Sequence, residues 1–417
     1  MGKGEQLELQ RGVIGRSVPR IEDRPLVVGQ GRFAGDLSFP RQLHMRVVRS
    51  AHAHGRLVSI DTAAARQMPG VVAVWTGTDV ADVPRIPLRE APHPQLDRYL
   101  QPVLAQGEVR YVGEPVAVVF ADDPYRAEDA AEQVVVDVEA RPAILHADRE
   151  MLAEPTVLEK RFGDLDRAFA LAHAIVRLEL AIGRHSGVPL ETRGLVANYD
   201  VSRDVLELHG AAKIPHRNRE TLARMLARPI GSVQLYEWHV GGGFGIRGEL
   251  YPEDIIACVA TLRFKRAVKW IEDRHEHLIA ANQSREQIHH VRAAVDASGR
   301  LLAIEDRFFH DQGAYVRTHG DRVADMTAGM LLGPYEVGAY HAIAHYRLTN
   351  KTPAATYRSP GRFEGTFVRE RLLDAIADGT GPSSFASRSL AFRRGFECDR
   401  PSSPCPRNST RHARERR

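Results

Sequence analysis

The alternation of apolar and polar residues is clearest just beyond residue 110. Glu114–Ala121 is an apolar run that predicts a buried strand, and Val134–Glu139 alternates as a second strand. Between them, Tyr125–Gln133 has an acidic helical pattern, preceded by Asp123 as an N-cap and by Pro124 in the first turn. A strand, a helix and a strand over so short a length predict a compact unit of the α+β class.

A second patterned region follows residues 142–160, which have the composition of a linker. In this region apolar positions recur with helical spacing in some segments and with strand spacing in others. The predicted elements are the strands Val176–Ala181 and Val233–His239, the helices His216–Ala227, Tyr251–Arg263 and Glu364–Ala377, and a hairpin formed by residues 288–296 and 301–311. The chain is therefore divided into an α+β region at 14–141, the linker, a second α+β region at 161–377, and a tail at 378–417.

The tail differs from the rest of the chain in composition. After Phe396 it holds no Val, Ile, Leu, Met or aromatic residue, whereas Ser, Pro, Arg and Cys predominate. Such a segment cannot bury enough apolar surface to offset its ordering entropy, so we predict that it is disordered. The chain has six Lys against 51 Arg, which is typical of a GC-rich gene. Our hypothesis is that the tail is translated out of frame, and a natural disordered tail is the alternative.

The basic isoelectric point comes from the tail and not from the patterned regions. The whole chain has a pI near 9.0 and a net charge of +4, but residues 381–417 carry nine Arg and three acidic residues. The preceding 380 residues therefore have a net charge of about −2. This mildly acidic balance argues against nucleic-acid binding, which requires a basic surface.

The cysteine content and the hydropathy of the chain argue against several further classes of protein. Three cysteines without a CxxC motif argue against a disulfide framework and against an iron–sulfur cluster or zinc site on this chain. The N-terminal residues lack the apolar core of a secretory signal, and no apolar run is long enough to span a bilayer. We therefore expect a cytoplasmic protein without a membrane span.

The most informative candidate site is the glycine-rich stretch Val240–Glu249, which follows a predicted strand and precedes a predicted helix. Consecutive glycines allow a backbone to approach a ligand closely, and a helix N-terminus favours an anion. The known phosphate motifs do not fit, because Ile246 replaces the last glycine of GxGxxG and Glu249 replaces the lysine of a P-loop. A plain flexible turn is the alternative.

Further polar stretches are weaker candidate sites. Thr356–Arg362 places two arginines around small turn residues, so both can face one anionic or carbonyl group, although an ordinary Pro-Gly turn is the alternative. Arg184–Arg193 contains His, Ser and Glu but no nucleophile elbow, which favours a structural role. Metal binding is not predicted for the histidine pairs His52 and His54, His275 and His277, and His289 and His290.

Taken in order, these stretches resemble the molybdopterin-binding large subunit of the xanthine dehydrogenase family, whose relatives include aldehyde oxidases and carbon monoxide dehydrogenase. The resemblance implies an α/β hammerhead domain at 14–141 and the first half of a molybdenum-cofactor domain at 161–377. The hammerhead is represented by Ile14–Arg20, Arg49–His54, Pro69–Val74 and Tyr111–Val118. The cofactor domain is represented by Val240–Gly245, Val268–Arg274, Asp311–Tyr315 and Tyr357–Arg362.

The resemblance also implies roles for single residues. Arg358 corresponds to the arginine on the substrate side, and Lys213 stands where the family carries a cofactor-contacting glutamine. The residues that correspond to the cofactor-binding turn are Gly242, Gly243, Phe244 and Gly245, with Phe244 beside the molybdenum. No residue of this chain is assigned as catalytic or as a metal ligand, because the general-base glutamate of the family belongs to a second half that follows.

The implied reaction is the hydroxylation of an aldehyde or N-heterocycle carbon with water. The implied cofactor is molybdopterin, as molybdopterin cytosine dinucleotide, and the electrons pass to a 2Fe–2S small subunit and an FAD-binding medium subunit. Gly248 replaces the carboxylate of purine-specific members, and Ser359 replaces the cysteine of carbon monoxide dehydrogenase. Both differences argue against those two substrates.

Our leading hypothesis from the sequence is a truncated molybdenum-hydroxylase large subunit that is inactive alone, because the second half is missing. One alternative is half of a split enzyme that is completed by a separate chain. The other is a non-catalytic binding or assembly protein that uses the half-domain to hold a partner or a pterin.

Overall fold

A computed structural model describes residues 14–89, 94–210, 212 and 214–380, and its mixture of helices and strands confirms the α+β class. The α-helices are α1 (Asp23–Val27), α2 (Ala63–Gln67), α3 (Pro124–Glu132), α4 (Leu165–Ala170), α5 (Pro215–Met225), α6 (Pro252–Phe264), α7 (Arg274–Ala280), α8 (Val323–Met330) and α9 (Arg362–Thr380). The strands are β1 (Leu43–Arg49), β2 (Gly55–Asp61), β3 (Val71–Thr76), β4 (Glu108–Val109), β5 (Pro115–Ala121), β6 (Val135–Ala140), β7 (Ala153–Phe162), β8 (Ala174–Ile182), β9 (His185–Ser186), β10 (Gly194–Asp200), β11 (Val205–Gly210), β12 (Val233–Tyr236), β13 (Val268–Ile271), β14 (Gln283–Ser284), β15 (Gln287–Val295), β16 (Leu301–Gly313) and β17 (Ala339–Leu348).

The two predicted regions share a seven-stranded sheet with the order β12-β11-β10-β13-β1-β5-β3. Strand β1 of the first region runs parallel to β13 of the second, with Leu43 opposite Val268. The N–H of Leu43 donates to the carbonyl of Ala267 at 2.7 Å. Every residue of β5 is buried inside this sheet, which explains its unbroken apolar sequence. Main-chain pairing therefore attaches the first region to the second.

The predicted strand, helix and strand of the first region are confirmed as β5, α3 and β6. The carboxylate of Asp123 accepts hydrogen bonds from the N–H groups of Tyr125 and Arg126, and Pro124 begins the helix. Ala127 and Ala130 are buried against the sheet, so the small residues of α3 allow a close approach. Local capping chemistry thus fixes the position at which this helix starts.

The second region contains a five-stranded sheet with the order β7-β17-β16-β15-β8. The predicted hairpin is confirmed as β15 and β16, and α9 packs on one face of the sheet through the buried residues Val368, Leu372 and Ile376. None of the helices within residues 14–89, 94–210, 212 and 214–380 combines the length and apolar character needed to cross a membrane.

The structure differs from the sequence prediction at two boundaries. Residues 153–160 of the predicted linker belong to β7, which pairs with β17. Because β7 lies at the sheet edge, it tolerates a proline and several charges, and these obscured its strand pattern. Helix α9 continues to Thr380, so residues 378–380 of the predicted tail are helical. The remaining tail residues, 381–417, lie outside the described residues.

Buried charges join the two regions beneath the shared sheet. Arg49 of β1 pairs with Glu253 of α6 at 2.7 Å and with Glu276 of α7 at 3.0 Å. Arg193 pairs with the same Glu253 at 3.4 Å and also with Glu272. Removing one partner of such a cluster leaves a buried charge without compensation, at a cost of about 3–5 kcal/mol. The cluster therefore selects one relative placement of the two regions.

Glu114, immediately before β5, is also buried at this boundary. Its carboxylate accepts hydrogen bonds from the Tyr315 hydroxyl at 2.6 Å and from the N–H of Arg110 at 2.6 Å. Burial raises the pKa of Glu114 to about 7, compared with an ordinary value of 4.5. Because the folded-state pKa is the higher one, the contribution of Glu114 to stability is complete below about pH 4.5 and is lost as the pH rises through about 7.

We therefore expect the slope of melting temperature against pH, between about pH 4.5 and 7, to be more negative in the wild type than in the Glu114→Gln variant, since glutamine does not titrate. Thermal unfolding followed by circular dichroism at several pH values measures this slope. Glu139→Gln, which alters an exposed glutamate paired with Arg56, is the control and should keep the wild-type slope. Equal slopes for wild type and Glu114→Gln would contradict the assignment.

Candidate functional site

The glycine-rich stretch is a tight turn between β12 and α6. Two glycines of this turn, Gly242 and Gly245, have φ values of 106° and 110°, which side-chain-bearing residues rarely adopt. Phe244 between them also has a positive φ of 50°. A single 3₁₀ turn at Ile246–Gly248 then leads into α6. The predicted turn is thus an ordered backbone with a defined shape.

The close approach of a second loop explains one of these glycines. A Cβ atom at Gly245 would lie 2.9 Å from both the Cγ2 atom and the carbonyl oxygen of Thr356. The N–H of Arg358 donates to the carbonyl of Phe244 at 2.7 Å. By contrast, the atom nearest to a Cβ at Gly243 would be 3.7 Å away, on the side chain of Arg247. The turn is therefore closed on the side of the second loop and open at Gly243.

The side chain of Arg247 fixes the backbone of the turn by hydrogen bonds. Its guanidinium donates to the carbonyls of Gly242, Glu191 and Thr192, each at 2.7 Å, and lies 3.0 Å from the Glu191 carboxylate. That carboxylate also accepts a hydrogen bond from the N–H of Gly241 at 2.8 Å. Burial lowers the pKa of Arg247 from its usual value. Glu191 lies in the stretch that the sequence indicated as structural, and its contacts support that interpretation.

The first region also reaches the turn, through a residue that the sequence did not single out. The guanidinium of Arg89 donates to the carbonyl of Gly248 at 2.7 Å and to the carboxylate of Glu249 at 3.2 Å. Arg89 lies in a stretch rich in proline and polar residues, and no local pattern distinguishes it from an ordinary loop arginine. Its role depends on the packing of the two regions.

The turn and the arginine loop face one open cavity of about 580 Å³. The ring of Phe244 is 48% exposed there, and the exposed Arg358 also lines the cavity. Of the predicted turn residues, Gly243, Phe244 and Gly245 line this cavity together with Arg358, whereas Gly242 does not. Lys213, the remaining predicted site residue, lies outside the described residues.

Two histidines of the candidate metal-binding pairs, His277 and His289, do not line this cavity. Among residues 14–89, 94–210, 212 and 214–380, no group of three His, Cys, Asp or Glu side chains is arranged to hold a metal ion. His289 is buried between Asp306 at 2.8 Å and Gln287 at 3.0 Å. His277 is buried against Glu272 at 2.8 Å. These two histidines therefore belong to the packed interior.

The residues that line the cavity fit one side of a large anionic cofactor. Gly243 presents backbone without a side chain, Phe244 presents an aromatic ring, and Arg358 presents a positive charge. Glu237 also lines the cavity, and burial raises the pKa of its carboxyl group. Among the described residues, none closes the opposite side of the cavity, so these residues would hold a cofactor from one side.

Comparison with known proteins identifies the family. Residues 148–392 match the family model of the molybdopterin cofactor-binding domain, and residues 28–142 match that of the aldehyde oxidase and xanthine dehydrogenase a/b hammerhead domain. The first match alone covers more than half of the chain. The chain therefore belongs to the molybdopterin-binding large subunits of the xanthine dehydrogenase and aldehyde oxidase family, as its sequence motifs predicted. The first match ends within the segment that the sequence indicated as a tail.

Individual relatives show how much of the family's length is present. The gamma subunit of the 6-hydroxypseudooxynicotine dehydrogenase complex of Paenarthrobacter nicotinovorans is 42% identical over 393 residues, which are 90% of this chain and 49% of that protein. The crystal structure of quinoline 2-oxidoreductase from Pseudomonas putida 86 superposes with a TM-score of 0.85 at 36% identity, covering 91% of this chain and 50% of the other. The chain thus spans about half the length of these relatives.

A third relative has nearly the same extent as this chain. The large molybdopterin subunit of nicotinate dehydrogenase from Eubacterium barkeri is 27% identical over 393 residues, which are 91% of this chain and 88% of that protein. A subunit of about this length therefore occurs in a relative.

The contact between Gly245 and Thr356 predicts a contrast between two glycines. Gly245→Ala should destabilise the protein by about 1–3 kcal/mol, because alanine is strained at this φ and its Cβ meets the second loop. Gly243→Ala should change stability by no more than about 0.5 kcal/mol, since its Cβ has room. Urea unfolding measures both values. Equal losses in the two variants would contradict the described geometry.

Proposed function

We propose that this chain is the first half of the large subunit of a molybdenum hydroxylase. The observation that carries the proposal is the meeting of the glycine-rich turn and the arginine loop at one open cavity, in a chain of this family. Such an enzyme hydroxylates a carbon atom of its substrate with oxygen from water and passes two electrons to partner subunits. The bound molybdenum cofactor supplies the oxygen-transfer and electron-accepting chemistry.

The protein's own residues bind and orient in this proposal. Gly242–Gly245 hold one face of the molybdopterin with their backbone, and Phe244 shields it with its ring. Arg358 donates hydrogen bonds to the substrate side from a loop whose backbone is fixed to Phe244. Lys213 replaces the family's glutamine as a donor to the cofactor.

The proposed substrate is an N-heterocycle. Quinoline and nicotinate, which appear in the names of two relatives, are aromatic N-heterocycles, and 6-hydroxypseudooxynicotine contains a pyridine ring. These names support an N-heterocycle more than an aldehyde. A cavity lined by the apolar Val240 and Phe244 beside the cationic Arg358 suits a flat ring with a hydrogen-bond acceptor.

The proposed partners carry the remaining centres. The cofactor would be molybdopterin cytosine dinucleotide, the electrons would pass to a 2Fe–2S small subunit, and an FAD-binding medium subunit would receive them. The three cysteines form no CxxC motif, which supports clusters on separate chains. Two relatives are named as subunits, which supports a multi-subunit complex.

We propose that the chain does not turn over substrate alone. The resemblance assigns the general-base glutamate to a second half, and the residues that the structure describes bound the cavity on one side only. Two apolar side chains that line it are exposed, Val240 at 44% and Phe244 at 48%, so a further surface is expected to cover them. We propose that a second half, on the same polypeptide or on a separate one, completes the site; the Eubacterium barkeri subunit is a relative of nearly equal length.

Complementation tests this proposal. The chain is coexpressed with the flavin and iron–sulfur subunits and with a second-half polypeptide taken from the 42%-identical relative, and dye-linked oxidation of quinoline or nicotinate is measured. We expect turnover with the second half and none without it.

In the complemented enzyme, Arg358→Ala should lower kcat/KM roughly 10- to 100-fold, because a charge-assisted hydrogen bond to the substrate is lost.

Arg362→Ala provides the matched control, since Arg362 belongs to the same loop motif, is exposed and does not line the cavity. It should retain kcat/KM within about twofold of wild type. Turnover by the chain without a second half, or equal losses in the two arginine variants, would contradict the proposed function.

A further inference from the structure

Arg285 lies in a strained backbone position next to the arginine loop. It connects β14 to β15, is buried, and has a φ of 82°. A residue other than glycine in this region costs of order 1–3 kcal/mol and persists only where the surrounding structure compensates. The sequence gives no local reason for an arginine here, so its tertiary contacts must account for it.

The guanidinium of Arg285 binds the inner side of the arginine loop. It donates hydrogen bonds to the carbonyl oxygens of Arg358 and of Ser359, the latter at 3.2 Å. It also lies over two aromatic rings, 4.6 Å from the centroid of Tyr357 and 4.4 Å from that of Phe363. A planar guanidinium can donate in its plane while its two faces stack, which a lysine cannot do.

A carboxylate fixes the guanidinium from the other side. Glu364, in the first turn of α9, lies 3.3 Å from Arg285 and is fully buried. Burial raises the pKa of Glu364 even though Arg285 opposes this shift. The ion pair therefore anchors Arg285 to a helix whose apolar face is packed on the five-stranded sheet.

We propose that Arg285 is a positioning residue for the arginine loop, and this inference rests on the proposed function of Arg358. Because Arg285 holds the carbonyls of residues 358 and 359 inward, the N–H of Arg358 is directed at Phe244 and its side chain at the cavity. Ser359 has a positive φ of 57°, so the loop adopts a conformation that needs such support. One buried arginine thereby sets the distance between the loop and the glycine-rich turn.

Hydrogen–deuterium exchange of the full chain tests this role without molybdenum or substrate. In Arg285→Met, which keeps an apolar side chain beside the rings but donates no hydrogen bond, the amide of Arg358, whose N–H donates to the carbonyl of Phe244, should exchange at least about tenfold faster. Exchange in α6 and in the strands β15 to β17 should stay at wild-type rates. Arg285→Lys, which keeps the charge facing Glu364, should recover part of the protection.

Arg292→Met is the matched control. Arg292 also pairs with a glutamate, Glu305, and lies 4.3 Å from the ring centroid of Phe169. These contacts do not involve the arginine loop. The control variant should leave the amide of Arg358 protected. Unchanged protection of this amide in Arg285→Met, or equal loss throughout the chain, would overturn the proposal. If Arg285→Met does not fold, Arg285→Lys is compared with Arg292→Lys. Faster exchange of the Arg358 amide in Arg285→Lys than in Arg292→Lys would then support the proposal, and equal rates would overturn it.

A failure of the complementation assay would not affect this measurement, since the exchange of the loop amides requires neither a second half nor a cofactor. Conversely, turnover in the complemented enzyme together with unchanged loop protection would retain the proposed function and reject the positioning role. The two inferences can therefore fail separately.

Discussion

The hydrogen bond from the N–H of Arg358 to the carbonyl of Phe244 is the contact on which the candidate site depends. It joins two segments more than a hundred residues apart in sequence, the glycine-rich turn and the arginine loop. The contact requires glycine at position 245, because a Cβ atom there would collide with Thr356. This close approach of two backbones brings the cavity-lining residues of the turn next to those of the loop.

Buried arginine side chains fix the backbone of both the glycine-rich turn and the arginine loop. Arg247 holds three carbonyls around the turn, and Arg285 holds two carbonyls of the loop. Burying such groups is costly unless each is paired, and here each guanidinium faces a carboxylate, Glu191 or Glu364. Paired buried arginines of this kind favour a single backbone geometry over greater stability.

The first region takes part in the same scaffold. It adds strands to the seven-stranded sheet, and its Arg49 enters the buried charge cluster with Glu253 at the start of α6. Arg89 reaches the carbonyl of Gly248 at the end of the turn. The hammerhead domain is thus structurally continuous with the cofactor domain, and a separately folded first region would leave these groups without partners.

Local signals made much of the fold predictable from sequence. The cap formed by Asp123 and Pro124 defined α3, and the turn at residues 297–300 defined the hairpin of β15 and β16. The parallel pairing of β1 with β13 could not be predicted, because it joins residues far apart in the chain and no periodicity encodes the partner. Strand β7 was missed because edge strands tolerate the charges and proline of a linker.

The candidate site was predictable only in part, for the same reason. The resemblance to a family brought the glycine-rich turn and Arg358 together, whereas local residue patterns left a flexible turn and a surface loop as alternatives. The guanidinium groups of Arg89, Arg247 and Arg285 donate to main-chain carbonyl groups of other segments. Because every residue has a carbonyl group, the sequence does not indicate which one accepts the hydrogen bond. The positive φ of Arg285 likewise depends on packing and not on residue type.

The most direct test of the central claim is the molybdenum content of the purified full chain, alone and in complex with a second-half polypeptide, measured by inductively coupled plasma mass spectrometry. This chain offers one face of the cofactor site, so we predict that the chain alone retains molybdenum far below stoichiometry and that the complex retains it stoichiometrically. Stoichiometric molybdenum on the chain alone would contradict the claim that the site needs a second half.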